Sequence, residues 1–190
     1  MMDAARADEV LASGGVVLFG ADTVYGLACA HDNAEPIARI VALKGRAPDK
    51  PNALLAFNLE AAEPVLSPLD AVTRHAATAL LPGPVTLVLP GGTGLRVPAL
   101  VPAAEPLAGI STLVTQTSAN LSGEPSPCSL ADVAPEITEG VDLVLDAGTL
   151  PGTASTVVDL RNYAESGSWS VIRPGARSLQ ELSDVLGAPV

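Results

Sequence analysis

The two lysines of this chain fall in one seven-residue stretch, Lys44-Gly45-Arg46-Ala47-Pro48-Asp49-Lys50, with an arginine between them. The chain as a whole is acidic, with 21 Asp and Glu against 10 Lys and Arg and a formal charge of -11. Three cations gathered against that field fit an anionic group, most simply a phosphate. A guanidinium grips phosphate oxygens through two parallel donors, and an ammonium acts as a compact point charge. A solvated turn after a helix accounts for Lys44 and Gly45, a lysine on a helix C-terminus followed by a glycine stop. It does not account for Arg46 and Lys50.

Three further segments carry polar groups after apolar runs. Asp22, Thr23 and Tyr25, between Gly20 and Gly26, offer a carboxylate and two hydroxyls where open α/β sheets place ligands. An Asx turn in which Asp22 bonds its own backbone is an equal alternative. Thr115-Gln116-Thr117-Ser118-Ala119-Asn120-Leu121-Ser122-Gly123-Glu124-Pro125-Ser126 is rich in hydroxyls and small side chains. It can form a backbone anion nest reinforced by Ser118 and Ser126, or a plain polar loop. Ser155 opens one strand-like run, and Arg173 closes another before Pro174-Gly175 turns the chain.

Stepping from these groups to the elements that must hold them, runs of strand length recur. They lie at 16–19, 53–57, 85–89, 113–115, 141–145, 156–160 and 169–172. Most lack strict alternation and are β-branched, as strands buried on both faces are. Between them the pattern predicts helices over 3–12, over 33–44 with Asn33 as cap, and over 69–80, ended by Pro82-Gly83-Pro84. Ser129–Asp132 and Ser178–Glu181 read as capping boxes opening short helices. Strands mixed with helices indicate an α/β layer fold around one sheet. The Pro- and Gly-rich stretch 90–109 reads as a loop or lid. A single domain over 1–190 is expected, its core at about 8–177 and a short helical tail at 178–190.

Composition narrows the classes. Hydrophobic residues are 48% and aromatics 3%, so Ala, Val and Leu must fill the core, and a charged fraction of 16% argues against disorder. No apolar run reaches eighteen residues, so no membrane span is expected, and the start lacks a signal pattern, so a cytoplasmic protein is. Cys29 and Cys128 are too few for a metal or disulfide framework, and His31 and His75 lack zinc-site company. The net charge disfavours broad nucleic-acid binding.

In this order the segments resemble the YrdC-like family of L-threonylcarbamoyladenylate synthases. Its marks are D-T-V-Y-G, K-G-R-x-x-x-K-P, P-G-P-[LV]-T, G-[IL]-R-[IV]-P, S-A-N-x-S-G-x-P-S, S-T-[IV]-[IV]-D and R-P-G. Here they stand at 22–26, 44–51, 82–86, 94–98, 118–126, 155–159 and 173–175. The resemblance implies a twisted, mixed β-sheet with flanking helices and a concave, positively lined cleft. It implies a nucleotidyltransferase that joins L-threonine, bicarbonate and ATP into threonylcarbamoyl-AMP and pyrophosphate, with Mg2+ accompanying ATP. A downstream transferase complex would then modify tRNA. By motif position, Thr23, Arg96, Gln116 and Ser155 would hold threonine. Lys44, Arg46, Lys50, Ser118, Asn120, Ser126 and Arg173 would hold the nucleotide, and Lys44, Arg46 and Lys50 would serve the reaction itself. Two other readings stand beside this one: a family paralogue that binds nucleotide without the activity, and an RNA-binding module, which the charge disfavours.

Overall fold

A computed structural model describes residues 3–47 and 53–189. Lys50, with Asp49 and Pro51, lies outside the described residues. The chain opens with helix α1 (Ala4–Ala12), whose Asp3 cap accepts from Arg6 N. Strands β1 (Val17–Gly20) and β2 (Tyr25–Ala30) follow, then α2 (Ala34–Leu43) and β3 (Ala53–Leu55). Next come α3 (Leu59–Leu66), α4 (Ala71–Leu80), β4 (Val85–Val88) and β5 (Gly94–Arg96). The remainder is β6 (Val114–Ser118), α5 (Pro135–Glu139), β7 (Leu143–Leu145), β8 (Thr156–Asp159), α6 (Tyr163–Ser166), β9 (Ser170–Arg173) and α7 (Leu179–Leu186).

The nine strands form one mixed sheet in the order β7-β1-β2-β6-β3-β5-β4-β8-β9. Parallel pairs (β1–β7, β3–β5, β4–β8) alternate with antiparallel ones, so the connections cross the sheet rather than running as a simple meander. Two apolar clusters flank it. One joins α1 and the 3-10 turn Pro102–Gly109 to β1 and β2, through Val10, Leu11, Leu18, Leu27, Ala104 and Leu107. The other joins α3, α4 and α7 to β4, β5 and β8, through Leu66, Leu80, Leu87, Leu95, Val158 and Leu182.

Local chemistry sets the helix ends. Asn33, Asn58, Asp70 and Ser178 each accept a backbone N–H at a helix start, worth about 1 kcal/mol apiece. At the far end of α2, Lys44 is the C-cap and Gly45 takes φ +57°, a left-handed turn that glycine enters without penalty. The tail expected at 178–190 is tied down. Leu182 is buried, Trp169 Nε1 donates to Gly187 O at 3.2 Å, and Tyr163 OH donates to Leu186 O at 3.1 Å.

Four features depart from the sequence expectation. Tyr25-Gly26-Leu27 is strand, paired with both β1 and β6, so only 21–24 turns. The stretch read as a loop or lid contains β5, with Leu95 wholly buried, and a 3-10 turn whose Ala104 and Leu107 are wholly buried. Helix α3 carries Pro64 inside it, which masked it in the sequence. Finally, β9 is an edge strand and largely exposed rather than buried on both faces. Among the described residues no helix is long and apolar enough to cross a membrane.

Candidate active site

A cleft of about 460 Å³, within the range of small-molecule sites, lies across the sheet. One wall comes from β2 and β6, with Gly26, Gln116, Thr117 and Ser118, and from Ser126 in the following loop. The other comes from β5, β4, β8 and β9. There Leu55 pairs with Arg96, Thr86 with Val157, and Val157 with Arg173. One residue on from the Leu87–Leu95 pair, Thr86 falls opposite Arg96. Arg96, Thr86, Val157 and Arg173 therefore make one row on one face of the sheet, and all four line the cleft.

Arg96 is held from behind. Its Nη2 donates to Asp22 Oδ1 and to Thr23 Oγ1, and Thr23 Oγ1 donates to Asp22 Oδ1 at 3.3 Å. Arg96 and Asp22 are 6% and 7% exposed, so this is a buried ion pair. It is only half closed: Asp22 Oδ2 and Arg96 Nε are buried without a partner. Backbone ties fix the turn that carries the acid, from Val101 N to Ala21 O (3.0 Å) and from Gly152 N to Thr23 O (2.9 Å).

At the other end of the row, Arg173 Nη2 donates to Ser155 O (2.7 Å) and Ser155 Oγ (3.3 Å). Ser155 Oγ and Thr86 Oγ1 share a hydrogen bond of 2.9 Å. Burial, and then the Arg96 charge, hold the Arg173 pKa below its ordinary value, yet a guanidinium remains charged at any physiological pH. Gly175 makes this arrangement possible. A Cβ there would overlap the Ala154 carbonyl oxygen and lie 2.5 Å from Thr156 N. The turn behind Arg173 thus packs directly on the backbone around Ser155.

In the described part of the basic segment, Lys44 and Arg46 both bond β6 or the loop that follows it. Lys44 is 4% exposed and donates to Ser118 O and, at 2.7 Å, to Asn120 O. Asn120 accepts from Ser118 Oγ at 2.5 Å and donates to Leu121 O (2.8 Å) and Glu124 O (2.7 Å). Both residues shape the 118–124 loop from behind and neither lines the cleft. Arg46 is half-buried and donates to Thr117 Oγ1 at 3.0 Å, beside the cleft wall.

Of the residues singled out by sequence, Arg96, Gln116, Ser118, Ser126, Ser155 and Arg173 line one cleft. Thr23 stands behind Arg96. Asp22 is neither a ligand group at the rim nor an Asx turn, but the counter-ion of an arginine 74 positions away. The Tyr25 hydroxyl does not face a ligand either. It bonds Asp146 Oδ1 (2.5 Å) and Gly148 O (2.9 Å) and accepts from Ala147 N (2.9 Å). Burial, and then that carboxylate, push the Tyr25 pKa up to about 12. Cys29 is wholly buried and its thiol is pushed up to about 11 by burial, as suits a packing residue. Sequence reasoning missed Thr86 and the apolar wall of Phe19, Val24, Val88, Val157 and Ile172. Thr86 stood in the sequence as a residue of the 85–89 strand run and the last position of the P-G-P-[LV]-T mark, with no ligand role attached to it.

Fold and site together define an α/β protein with a cleft lined by two arginines, Arg96 and Arg173. The chain belongs to the Sua5/YciO/YrdC family, whose model, described as telomere recombination, matches residues 9–175. It is 31% identical over 188 residues to the threonylcarbamoyl-AMP synthase of Pyrococcus abyssi, covering 92% of this chain but 54% of that one. To the threonylcarbamoyl-AMP synthase of Chromohalobacter salexigens it is 33% identical over 173 residues, 83% of this chain and 92% of the relative. The crystal structure of P. abyssi Sua5 complexed with L-threonine superposes with a TM-score of 0.83 at 30% identity, over 97% of this chain and 57% of that one. The chain thus spans about half the length of its archaeal relative.

Proposed function

We propose that this chain is a threonylcarbamoyl-AMP synthase, forming threonylcarbamoyl-AMP and pyrophosphate from L-threonine, bicarbonate and ATP. The observation that carries the reading is the row with Arg96 and Arg173 at its two ends along one cleft, Arg96 with a buried counter-ion and Arg173 with none among the described residues. Two cations facing a shared space suit two anionic substrates brought together. The names of the relatives at 31% and 33% identity, and threonine in the P. abyssi complex, support the same assignment.

In this reading Arg96, backed by Asp22 and Thr23, receives the threonine carboxylate, with Gln116 and Ser155 beside it. Arg173, Ser118 and Ser126 receive the nucleotide, with Arg46 and Lys50 at its phosphates. Lys44 and Asn120 act through the loop that they hold. Val157 and Ile172 offer an apolar surface for the base. Bicarbonate supplies CO2 as its hydroxyl leaves as water with the proton shed by the threonine amine. The amine nitrogen takes up that CO2 as a carbamate, and a carbamate oxygen attacks the α-phosphorus. That O–P bond forms as the bond to pyrophosphate breaks, its electron pair leaving with pyrophosphate. Such a step is served by positioning and by fixed positive charge rather than by a protein nucleophile.

Magnesium fits this site only as a companion of the phosphates. Among the described residues no three His, Cys, Asp or Glu side chains cluster to hold an ion, and Asp22 is committed to Arg96. Phosphate oxygens and water would supply its ligands, and it would neutralise phosphate charge. The product would pass to a transferase that modifies tRNA.

The test is pyrophosphate release that requires threonine, bicarbonate and ATP together. Pure, magnesium-supplied protein that releases none sinks the proposal. The family usually writes Pro-Thr before D-T-V-Y-G where this chain has Gly20-Ala21, and Ala21 lines the cleft without a hydroxyl, which favours one second reading, a paralogue handling another carbamoyl adenylate. Calorimetry showing ATP binding without threonine binding would select it.

A further inference from the structure

Thr86 lies in the middle of the row, between the arginine of β5 and the Ser155–Arg173 pair, and nothing so far gives it a task. It is 8% exposed and lines the cleft. Its hydroxyl shares one hydrogen bond with Ser155, which is 4% exposed. Two hydroxyls carry two protons, and their mutual bond uses one. Among the described residues no acceptor takes the other. Arg173 biases which hydroxyl keeps it. A guanidinium only donates, so Ser155 Oγ accepts from Arg173 at 3.3 Å. A hydroxyl that accepts from a cation is polarised into a better donor. Polarised in this way, Ser155 is the better donor of the pair, which favours the order Arg173 to Ser155 to Thr86 and leaves the Thr86 proton for the cleft.

We propose that Thr86 is a catalytic residue that donates this hydrogen bond to the oxygens at the junction where the carbamate meets the α-phosphate. The proposal rests on the synthase reading above. Arg96 claims the amino-acid end of the row and Arg173 the nucleotide end, so the residue between them faces the group that joins the two. Charge redistributes on those oxygens as the new O–P bond forms and the bond to pyrophosphate breaks. Thr86 gives up no proton in the step. Its hydroxyl is a neutral donor backed by a cation, fixed before the substrates arrive.

The experiment compares wild type with Thr86→Val, which keeps the shape and removes the hydroxyl, and with Thr86→Ser, which restores it. Steady-state pyrophosphate release gives kcat and both KM values, and thermal midpoints report packing. A lost donor to a transition-state oxygen lowers kcat by about 10- to 100-fold. The expected result is that loss in Thr86→Val, with KM for threonine and ATP each within about threefold and Thr86→Ser near wild type. An unchanged kcat overturns the proposal. So does a rise confined to the threonine KM, which would make Thr86 a carboxylate contact. Equal losses in Thr86→Val and Thr86→Ser with lowered midpoints overturn it too, since they would mark a packing residue. Wild-type protein silent in the assay overturns the synthase reading itself, whereas an active wild type with unaffected Thr86→Val overturns only the role of Thr86.

Discussion

Replacing Asp22 by alanine should cost more stability than almost any other polar substitution in this chain, and the loss should vanish when Arg96 is removed as well. Both side chains of the pair are under 10% exposed. Asp22→Ala leaves the Arg96 guanidinium with Thr23 Oγ1 but no counter-charge, and with Arg173 still acting on the same space. Breaking a buried pair costs about 3–5 kcal/mol. Arg96 faces a cleft that admits water, which puts the estimate at the low end, about 3 kcal/mol. For a chain of this size that is about 6–12 °C in Tm, at roughly 2–4 °C per kcal/mol. Arg96→Met should cost a similar amount, because it strands the Asp22 carboxylate with a single hydroxyl donor. The double variant carries no stranded charge and should lie within about 1–2 kcal/mol of wild type. Urea denaturation of the four proteins measures this directly. Additive losses, near 6 kcal/mol in the double variant by the same estimate, would refute the buried-pair argument.

Other consequences are as specific. Gly175→Ala has nowhere to put its methyl group, so it should cost at least about 1–3 kcal/mol and weaken nucleotide binding by displacing Arg173, read by calorimetry alongside Tm. Lys44→Met should lower stability and nucleotide affinity together, because it releases the 118–120 carbonyls, whereas Arg173→Lys should lower affinity with Tm nearly unchanged. The Tyr25 pKa is about 12 in the folded chain against about 10 when unfolded, so its contribution is complete below pH 10 and is lost as pH rises toward 12. Alkaline titration of stability should show that slope in wild type and not in Tyr25→Phe. On the acid side, the Arg39 bond on Asp142 and the Tyr25 bond on Asp146 hold both carboxyls low, so their contribution is present above the ordinary carboxylate range and is lost as pH falls through it.

Much of the architecture was legible because it is written locally. The helix caps at Asn33 and Ser178 and the β-branched runs of β4 and β8 declare themselves within a few residues. What escaped has a physical reason in each case. Strand β2, Tyr25-Gly26-Leu27-Ala28-Cys29-Ala30, has no β-branched residue and is held by strands on both sides. Strand β5 is three residues long and exists only because β3 and β4 flank it. For the site, residue type revealed Arg173 and the serines, while Arg96 came only through the family resemblance, and their partners lie far off in sequence. Nothing near Asp22 announces Arg96, and nothing near Thr86 announces Ser155. Charge clustering gave no sign that the Lys44 ammonium is turned onto the backbone carbonyls of Ser118 and Asn120.

The row of Arg96, Thr86, Val157 and Arg173 draws on four strands whose sequence positions span 86 to 173, and on an acid at 22. No segment shorter than residues 22–173 contains the row with its acid, so a ligand gripped by the row binds only the folded protein. Mass action then lends the binding energy to the whole molecule: about 2.7 kcal/mol at a hundred times Kd, or roughly 5–11 °C in Tm. A melting curve taken across ligand concentrations therefore titrates the cleft without any assay of turnover.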